Sequence, residues 1–284
     1  MNPRPEILDE GRPGPVIGVF DSGFGGLTVL RALLPRLPGA HFLYFGDTAR
    51  LPYGAKSQAT VARYAVEAAQ FLLARGAELL VIACNTATAL ALPEIRAAVP
   101  VPVIGVIEPG AQAALAAASD ANANPNGDSV LVLATAATVQ SHAYRDTCSA
   151  LGLRATEMPC PLLVPLVEEG WTDHPVTREV LRLYLAEALA ATTPATVLLG
   201  CTHYPLIAPA IRQTLQDLGS DALVVDSAEA TAEAVRHALG PLPTLAGDAS
   251  FECFATDSVE KFARLGSRFL GRTIPHVHLL DLGG

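Results

Sequence analysis

Lysine is almost absent from this chain, which carries it only at positions 56 and 261. Enzymes that use pyridoxal phosphate hold it through a Schiff-base lysine, so few positions suit that cofactor and we expect none. The formal net charge is −9, and no run of five or more basic residues occurs. A general nucleic-acid-binding surface needs a basic patch, so we expect no nucleic-acid partner.

Long apolar runs and paired cysteines are missing as well. The apolar stretches are interrupted every few residues, far short of the roughly 20 residues that span a bilayer, so we expect no membrane partner. Residues 1–15 are polar and proline-rich, without the apolar core of a signal peptide, and are expected to form a flexible tail. The five cysteines form no C-x-x-C pair, which argues against a zinc ribbon or a disulfide framework and favours reduced thiols in the cytoplasm.

Short apolar runs alternate with helical patterns along the chain. The runs predict strands at residues 16–20, 42–46, 79–83, 103–107, 130–134, 196–200 and 223–225. Apolar residues at helical spacing predict helices at 60–75 and 178–191. This order is typical of an α/β protein in which helices cover a mainly parallel sheet.

The chain is long enough for two compact domains. Its 284 residues are 50% hydrophobic and 17% charged, as in well-packed globular proteins. We place a domain boundary near residues 107–109, where an apolar strand meets a proline. Residues 119–128 consist of turn-forming residues and predict an exposed loop within the second domain.

Two segments resemble each other. Residues 79–86 read LLVIACNT and residues 197–203 read VLLGCTH, so each is an apolar strand followed by a cysteine and polar residues. Ligands of open α/β sheets bind beyond the carboxyl ends of the strands. We therefore predict two similar half-sites, one per domain, that face each other across a cleft.

Cys84 and Cys201 are the central candidates in these half-sites. At a strand end and a helix N-terminus, Cys84 would be expected to favour the thiolate. The alternative is that a free cysteine is simply a small apolar core residue. His203 shares a face with Cys201 if the extended geometry continues, so that its imidazole can accept or hold the thiol proton. The alternative for His203 is a hydrogen-bonded structural histidine.

A glycine-rich loop follows the first predicted strand. Residues 21–26 (DSGFGG) precede an apolar helix, whose N-terminus and flexible glycines suit an anion such as a carboxylate. Thr28 stands where the dinucleotide-binding pattern requires its third glycine, which argues against a dinucleotide. Asp21 is a candidate to bind an ammonium group or to tune a nearby thiol, and a turn or N-cap role is the alternative.

Several polar residues complete the candidate set. Tyr53 and Gly54 offer a phenol and backbone amides, although a plain turn explains them equally. Thr135 and Thr138 follow a predicted strand and offer hydroxyl groups, while Glu168 and the neighbouring Glu169 taken alone are typical of solvated surface charge. His276 and His278 alternate as on a strand, but no third ligand accompanies them, so no metal site is predicted.

Two thiols suit inversion of a carbon centre. Inversion removes a proton from one face and returns one to the other, which two groups accomplish without moving if one is deprotonated when the other is protonated. A free thiol has a pKa of about 8.5, and lowering it to about 7 costs about 2 kcal/mol, within reach of a helix terminus and a histidine. The carbanion also needs hydrogen-bond donors at the substrate carboxylate. The candidates are backbone N–H groups of residues 23–26 together with Asn85, Thr86 and Thr202.

Four motifs together resemble the glutamate racemases of the aspartate/glutamate racemase superfamily. They are residues 20–29 (FDSGFGGLTV), 46–54 (GDTARLPYG), 83–87 (ACNTA) and 200–205 (GCTHYP), in the family's order over about residues 16–238. The resemblance implies two pseudo-symmetric α/β domains, with the active site in the cleft between them and no cofactor. It assigns residues 16–107 and 224–284 to the first domain and residues 108–223 to the second.

The resemblance also implies roles for individual residues. Cys84 and Cys201 would be the acid/base pair, assisted by Asp21 at the first and by His203 and Glu168 at the second, with Glu169 as the alternative. The implied glutamate-binding residues are Asp21, Ser22, Tyr53, Gly54, Asn85, Thr86, Thr135, Thr138, Thr202 and His203. Ala134 stands where the family usually has glycine, so the sequence departs from the family's pattern at the Thr135 loop. The implied product, D-glutamate, feeds bacterial cell-wall synthesis, and a homodimer is the expected assembly.

Three other functions compete with this one. An aspartate racemase or a diacid decarboxylase of the same superfamily differs in the length of its substrate. A bilobal amino-acid-binding protein leaves both cysteines unexplained and is normally exported. A hydrolase with Cys201 as nucleophile leaves Cys84 without a role.

Overall fold

The computed structural model describes residues 14–118, 127–240 and 247–281. Nearly all of the predicted tail at 1–15 and most of the predicted loop at 119–128 lie outside these residues. Within the described part of the chain, no helix combines the length and apolar character needed to cross a membrane.

Two parallel sheets form the framework. The six-stranded sheet has the order β10-β9-β2-β1-β3-β4 and the four-stranded sheet the order β6-β5-β7-β8. The strands of the first are β1 Val16–Asp21, β2 His41–Gly46, β3 Leu79–Ile82, β4 Val103–Gly105, β9 Ser250–Ala255 and β10 His278–Leu279. Those of the second are β5 Ser129–Ala134, β6 Arg154–Pro159, β7 Thr196–Gly200 and β8 Leu223–Asp226. All observed strand pairs are parallel, which confirms the predicted α/β class.

Eleven α-helices connect and cover the described strands. They are α1 Leu27–Leu33, α2 Gln58–Ala74, α3 Asn85–Ala98, α4 Ile107–Ala118, α5 Ala136–Ser141, α6 Ala143–Ala150, α7 Leu163–Glu168, α8 Pro175–Ala191, α9 Ala208–Asp217, α10 Ala228–Leu239 and α11 Val259–Leu270. Local signals fix some of their ends. Ser57 caps α2 by accepting a hydrogen bond from Thr60 N, and Pro175 opens α8, where a proline costs no backbone hydrogen bond.

The two sheets share an internal repeat. The order β2-β1-β3-β4 in the first sheet is matched by β6-β5-β7-β8 in the second, so β1 corresponds to β5 and β3 to β7. Strands β3, β5 and β7 are buried along their whole length, as expected for parallel strands covered on both faces. Because Cys84 follows β3 and Cys201 follows β7, the two cysteines occupy equivalent positions at the ends of equivalent strands.

The structure also departs from the predicted elements. The predicted strand at 103–107 was wrong in its second half, because β4 ends at Gly105 and α4 begins at Ile107. Strands β6, β9 and β10 were missed: β6 (RATEMP) is mostly half-buried and lacks an apolar run. All of β8 pairs with β7, so the chain leaves the second sheet after Asp226, later than the division at residue 224 implies.

Candidate active site

A cavity of about 410 Å³ lies between the two sheets. Most of its lining comes from segments that follow β1, β3, β5, β6 and β7, at the carboxyl ends of parallel strands, where ligands of α/β proteins bind. Eleven of the predicted residues line it: Ser22, Tyr53, Gly54, Cys84, Asn85, Thr86, Thr135, Glu168, Cys201, Thr202 and His203. Asp21 and Thr138, also predicted to contact substrate, do not line the cavity.

Cys84 caps the N-terminus of α3. Its Sγ accepts a hydrogen bond from Ala87 N at 3.4 Å and lies 3.5 Å from Ser22 Oγ, to which the thiol donates. Burial, together with the charge of Asp21, raises the pKa of the Cys84 thiol to about 12. The expectation that the helix N-terminus would favour the thiolate is therefore wrong for this structure. Removal of the sulfur from water outweighs the helix terminus, and the thiol keeps its proton at neutral pH.

Cys201 faces a buried histidine. His203 Nδ1 lies 3.9 Å from Cys201 Sγ. The expected continuation of the strand is wrong, because β7 ends at Gly200 and His203 has helical backbone angles; a turn makes the contact instead. Burial alone would lower the pKa of His203, but its contacts with Cys201 and Glu168 raise that pKa to about 10. His203 is thus a cation at neutral pH, next to the sulfur.

Glu168 is the acidic partner of His203. Its Oε1 lies 3.4 Å from His203 Nε2, and its Oε2 lies 3.7 Å from Lys261 Nζ on α11. Burial opposes ionisation, yet His203 and Lys261 hold the pKa of Glu168 below its usual value. Glu169 also lines the cavity, but among the described ion pairs it is Glu168 that reaches the histidine.

The loop after β1 holds the turn that carries Cys201. A Cβ on Gly25 would lie 2.3 Å from Thr202 Oγ1 and 2.6 Å from His203 Nδ1, so only glycine permits this approach. Thr28 Oγ1 donates to the carbonyl of Thr202 at 3.2 Å. The threonine that breaks the dinucleotide pattern thus joins the two halves of the molecule at the cavity.

Asp21 lies behind this loop rather than in the cavity. Its Oδ2 accepts a hydrogen bond from Gly23 N at 2.9 Å, and burial raises the pKa of its carboxyl group. Its charge also contributes to the raised pKa of Cys84. Between the two functional alternatives stated for Asp21, this location favours tuning of the thiol over contact with a substrate ammonium group.

The hydroxyl groups of Tyr53 and of three threonines are engaged with other side chains of the protein; the threonines are Thr86, Thr135 and Thr138. The Tyr53 hydroxyl donates to Asp47 Oδ2 at 2.5 Å, so its phenol is engaged with Asp47, and a Cβ on the neighbouring Gly54 would lie 3.2 Å from Thr135 Cβ. The three threonine hydroxyls form a closed set of contacts at 2.9–3.2 Å, with Thr138 behind Thr86 and Thr135. Thr138 therefore supports the lining.

Sequence reasoning missed part of the cavity wall. Cys160, Pro161, Val164 and Pro165 line it from the segment between β6 and the middle of α7. They went unnoticed because β6 itself was not predicted, and its carboxyl end was the signal that would have pointed to them. Leu51, Pro52, Ala55 and Ala136 complete the apolar part of the wall.

Comparison with known proteins agrees with this geometry. The sequence profile of the Asp/Glu/hydantoin racemase family matches residues 17–235. A glutamate racemase from Koribacter versatilis is 51% identical, with 96% of this chain and 99% of that protein covered. Glutamate racemase from Thermus thermophilus superimposes with a TM-score of 0.80 at 42% identity, covering 95% of this chain and 98% of that one. The Francisella tularensis glutamate racemase, solved in complex with D-glutamate, gives a TM-score of 0.83 at 32% identity with the same coverage. The chain therefore belongs to the Asp/Glu/hydantoin racemase family, among its glutamate racemases.

Proposed function

We propose that this chain interconverts L- and D-glutamate without a cofactor, with Cys84 and Cys201 as the two acid/base groups. The observation that carries the mechanism is the placement of both cysteines at equivalent strand ends around one cavity. A substrate bound there is flanked by one thiol from each half of the molecule. Neither a binding protein nor a hydrolase with a single nucleophile accounts for that pair.

The two sulfurs have different electrostatic surroundings. The raised pKa of Cys84, about 12, keeps a proton available for donation. The imidazolium of His203, 3.9 Å from Cys201 Sγ, stabilises negative charge on that sulfur. Two-base catalysis requires one group to accept the α-proton while the other returns one, and in this arrangement Cys84 is the donor. Reaction of the opposite enantiomer requires the two sulfurs to exchange these states.

Neutral donors suit the substrate carboxylates. The described lining contains neither arginine nor lysine, and its polar groups include Ser22, Asn85, Thr86 and Thr202. Hydrogen bonds from such groups stabilise the negative charge that develops on the α-carboxylate when the proton leaves. The acidic Glu168 is neutralised by its two cationic partners, which lessens its repulsion of an anionic substrate.

Glutamate is the substrate that the relatives favour. The Francisella tularensis enzyme binds D-glutamate, and the similar proteins of nearly full length are glutamate racemases. They support glutamate over the aspartate racemase alternative. We further propose that the protein works in the cytoplasm as a homodimer and supplies D-glutamate for peptidoglycan; all five cysteines are free, in keeping with a reducing compartment.

The reaction is tested by incubating each glutamate enantiomer with the pure, dialysed protein in D2O. A two-base racemase gives the deuterated antipode from both enantiomers without added pyridoxal phosphate. Binding alone gives no exchange, and a hydrolase gives no inversion. A yellow chromophore lost on dialysis together with the activity would contradict the cofactor-free mechanism.

The two-base mechanism is tested by single substitutions. Cys84→Ala and Cys201→Ala should each abolish net inversion, because one face of the substrate then lacks its proton donor or acceptor. Cys148→Ala and Cys253→Ala are matched controls, since both cysteines are buried and neither lines the cavity. Racemisation at more than a trace level by either of the first two variants would remove the basis for the mechanism.

A further inference from the structure

Tyr144 is a buried phenol that joins the two half-sites from behind. It lies on α6 of the second half, fully buried, and its hydroxyl is 2.7 Å from the side-chain nitrogen of Asn85 on α3 of the first half. Asn85 directly follows Cys84 and lines the cavity, whereas Tyr144 does not. The contact therefore connects a cavity residue to a group that substrate cannot touch.

The Tyr144 side chain packs closely against two glycines, and Gly200 leaves room for its ring. A Cβ on Gly200, the residue before Cys201, would lie 3.0 Å from Tyr144 Cε2. A Cβ on Gly110 would lie 3.5 Å from the Tyr144 hydroxyl. The ring is thus packed against the strand end that carries the second cysteine, while its hydroxyl reaches the residue beside the first.

The hydrogen-bond partners available to Asn85 and Tyr144 indicate which atom of the Asn85 amide, Oδ1 or Nδ2, contacts the Tyr144 hydroxyl. With Nδ2 on the phenol oxygen, the amide oxygen is buried without a partner, and no described group accepts the phenolic hydrogen. Buried polar groups without partners are costly. A half-turn of the amide exchanges oxygen and nitrogen: the phenol then donates to Oδ1, and Nδ2 becomes free to donate elsewhere. Burial raises the pKa of Tyr144, so the phenol retains that hydrogen.

We propose that Tyr144 is a positioning residue for racemisation, whose hydroxyl donates to Asn85 Oδ1 and thereby fixes the Asn85 side chain in the cavity wall beside Cys84. This inference rests on the proposed function, because it assigns an orientation to one of its carboxylate donors. Without the phenolic oxygen, the amide has no partner that distinguishes its two ends. The Asn85 side chain then loses its fixed orientation in the cavity wall.

The test is a double-mutant cycle of Tyr144→Phe and Asn85→Ala. Tyr144→Phe removes only one oxygen, so we expect a cooperatively folded variant with a lowered melting temperature and a fall in kcat/KM of about two- to tenfold, the range for one hydrogen bond. If Tyr144 acts through Asn85, the same substitution in the Asn85→Ala background should change kcat/KM by less than about twofold. The dissociation constant of D-glutamate, measured by calorimetry, should follow the same non-additive pattern.

Tyr204→Phe provides the matched control. Tyr204 is equally buried in the second half, and its hydroxyl donates to the Cys160 carbonyl at 3.1 Å. Its effect on kcat/KM, whatever its size, should add to that of Asn85→Ala because the two residues share no contact. Additive effects of Tyr144→Phe and Asn85→Ala, or an Asn85→Ala variant with normal kcat/KM, would overturn the proposal. If the wild-type protein fails to racemise glutamate, the proposed function fails instead, and the calorimetric cycle still tests Tyr144.

Discussion

The pair formed by His203 and Glu168 gives the sharpest prediction. Glu168→Gln removes the negative charge 3.4 Å from His203 Nε2 and keeps the side-chain shape. At an effective dielectric constant of about 20, two unit charges at this distance interact by about 5 kcal/mol. The contact is long for a hydrogen bond, and the Glu168 side chain is 17% exposed. We therefore assign the interaction of Glu168 with His203 an energy of about 1.5 kcal/mol, the lower end of the range for hydrogen bonds to charged groups.

That energy corresponds to a fall of about one in the pKa of His203, from about 10 to about 9. The imidazolium is present below its pKa and is lost as the pH rises through it. Activity that needs this cation should therefore decline at lower pH in the variant. We expect the basic limb of the kcat/KM profile to move down by about one in pH, and 15N NMR titration of the imidazole to give the same change.

Glu169→Gln is the matched control for this prediction. Glu169 is adjacent and also lines the cavity, so it changes the same net charge near the substrate without touching His203. Its basic limb should stay within about 0.3 of the wild type, well below the change of about one expected for Glu168→Gln. A larger downward shift in Glu169→Gln than in Glu168→Gln, or an upward shift in Glu168→Gln, would refute the assignment of Glu168.

Three further predictions concern the loop after β1 and the wall of the cavity. Gly25→Ala should lower kcat/KM by at least about tenfold, because the new Cβ would lie only 2.3 Å from Thr202 Oγ1 and would push that residue away. Near-normal kinetics would contradict the close approach of the two segments. Asp21→Asn removes a charge that raises the pKa of Cys84, so the pH midpoint for alkylation of Cys84, followed by mass spectrometry, should fall; an unchanged midpoint would show that burial alone sets it. Tyr53→Phe should leave the KM for glutamate within about twofold and lower the free energy of unfolding by about 2 kcal/mol, the value of a hydrogen bond to a charged group; a large rise in KM with unchanged stability would mean that the phenol contacts substrate.

The parts of the fold that the sequence predicted are those whose signal is local. Strands β1, β3, β5 and β7 are buried apolar runs, and burial on both faces produces that pattern whatever the neighbours are. Strand β6 is an edge strand of mostly half-buried residues without an apolar run, so its assignment comes from pairing with β5. The sequence offered no local sign of that pairing.

The candidate site divides in the same way. Cys84 and Cys201 follow predicted strands, so their place at the cavity was predictable from the sequence. The raised pKa of Cys84 was not, because it depends on burial and on Asp21, which approaches from another strand. The same holds for the contact of Lys261 with Glu168 and of Tyr144 with Asn85. Both of these contacts join residues that are distant in sequence and that only the packing of the two halves brings together.

The two half-sites are related by the strand order but differ in charge, and this difference is constrained by the reaction. Cys84 has an acidic neighbour in Asp21, whereas Cys201 has a cation in His203. The enantiomers of glutamate have equal free energy in water, so kcat/KM must be equal in the two directions for the wild type and for every active variant. Glu168→Gln should therefore change kcat/KM equally for L- and D-glutamate, while the separate kcat and KM values are free to diverge. The asymmetry of charge thus sets which protonation state of the enzyme is most populated, and unequal changes in kcat/KM would mean that the measured reaction is not a simple inversion.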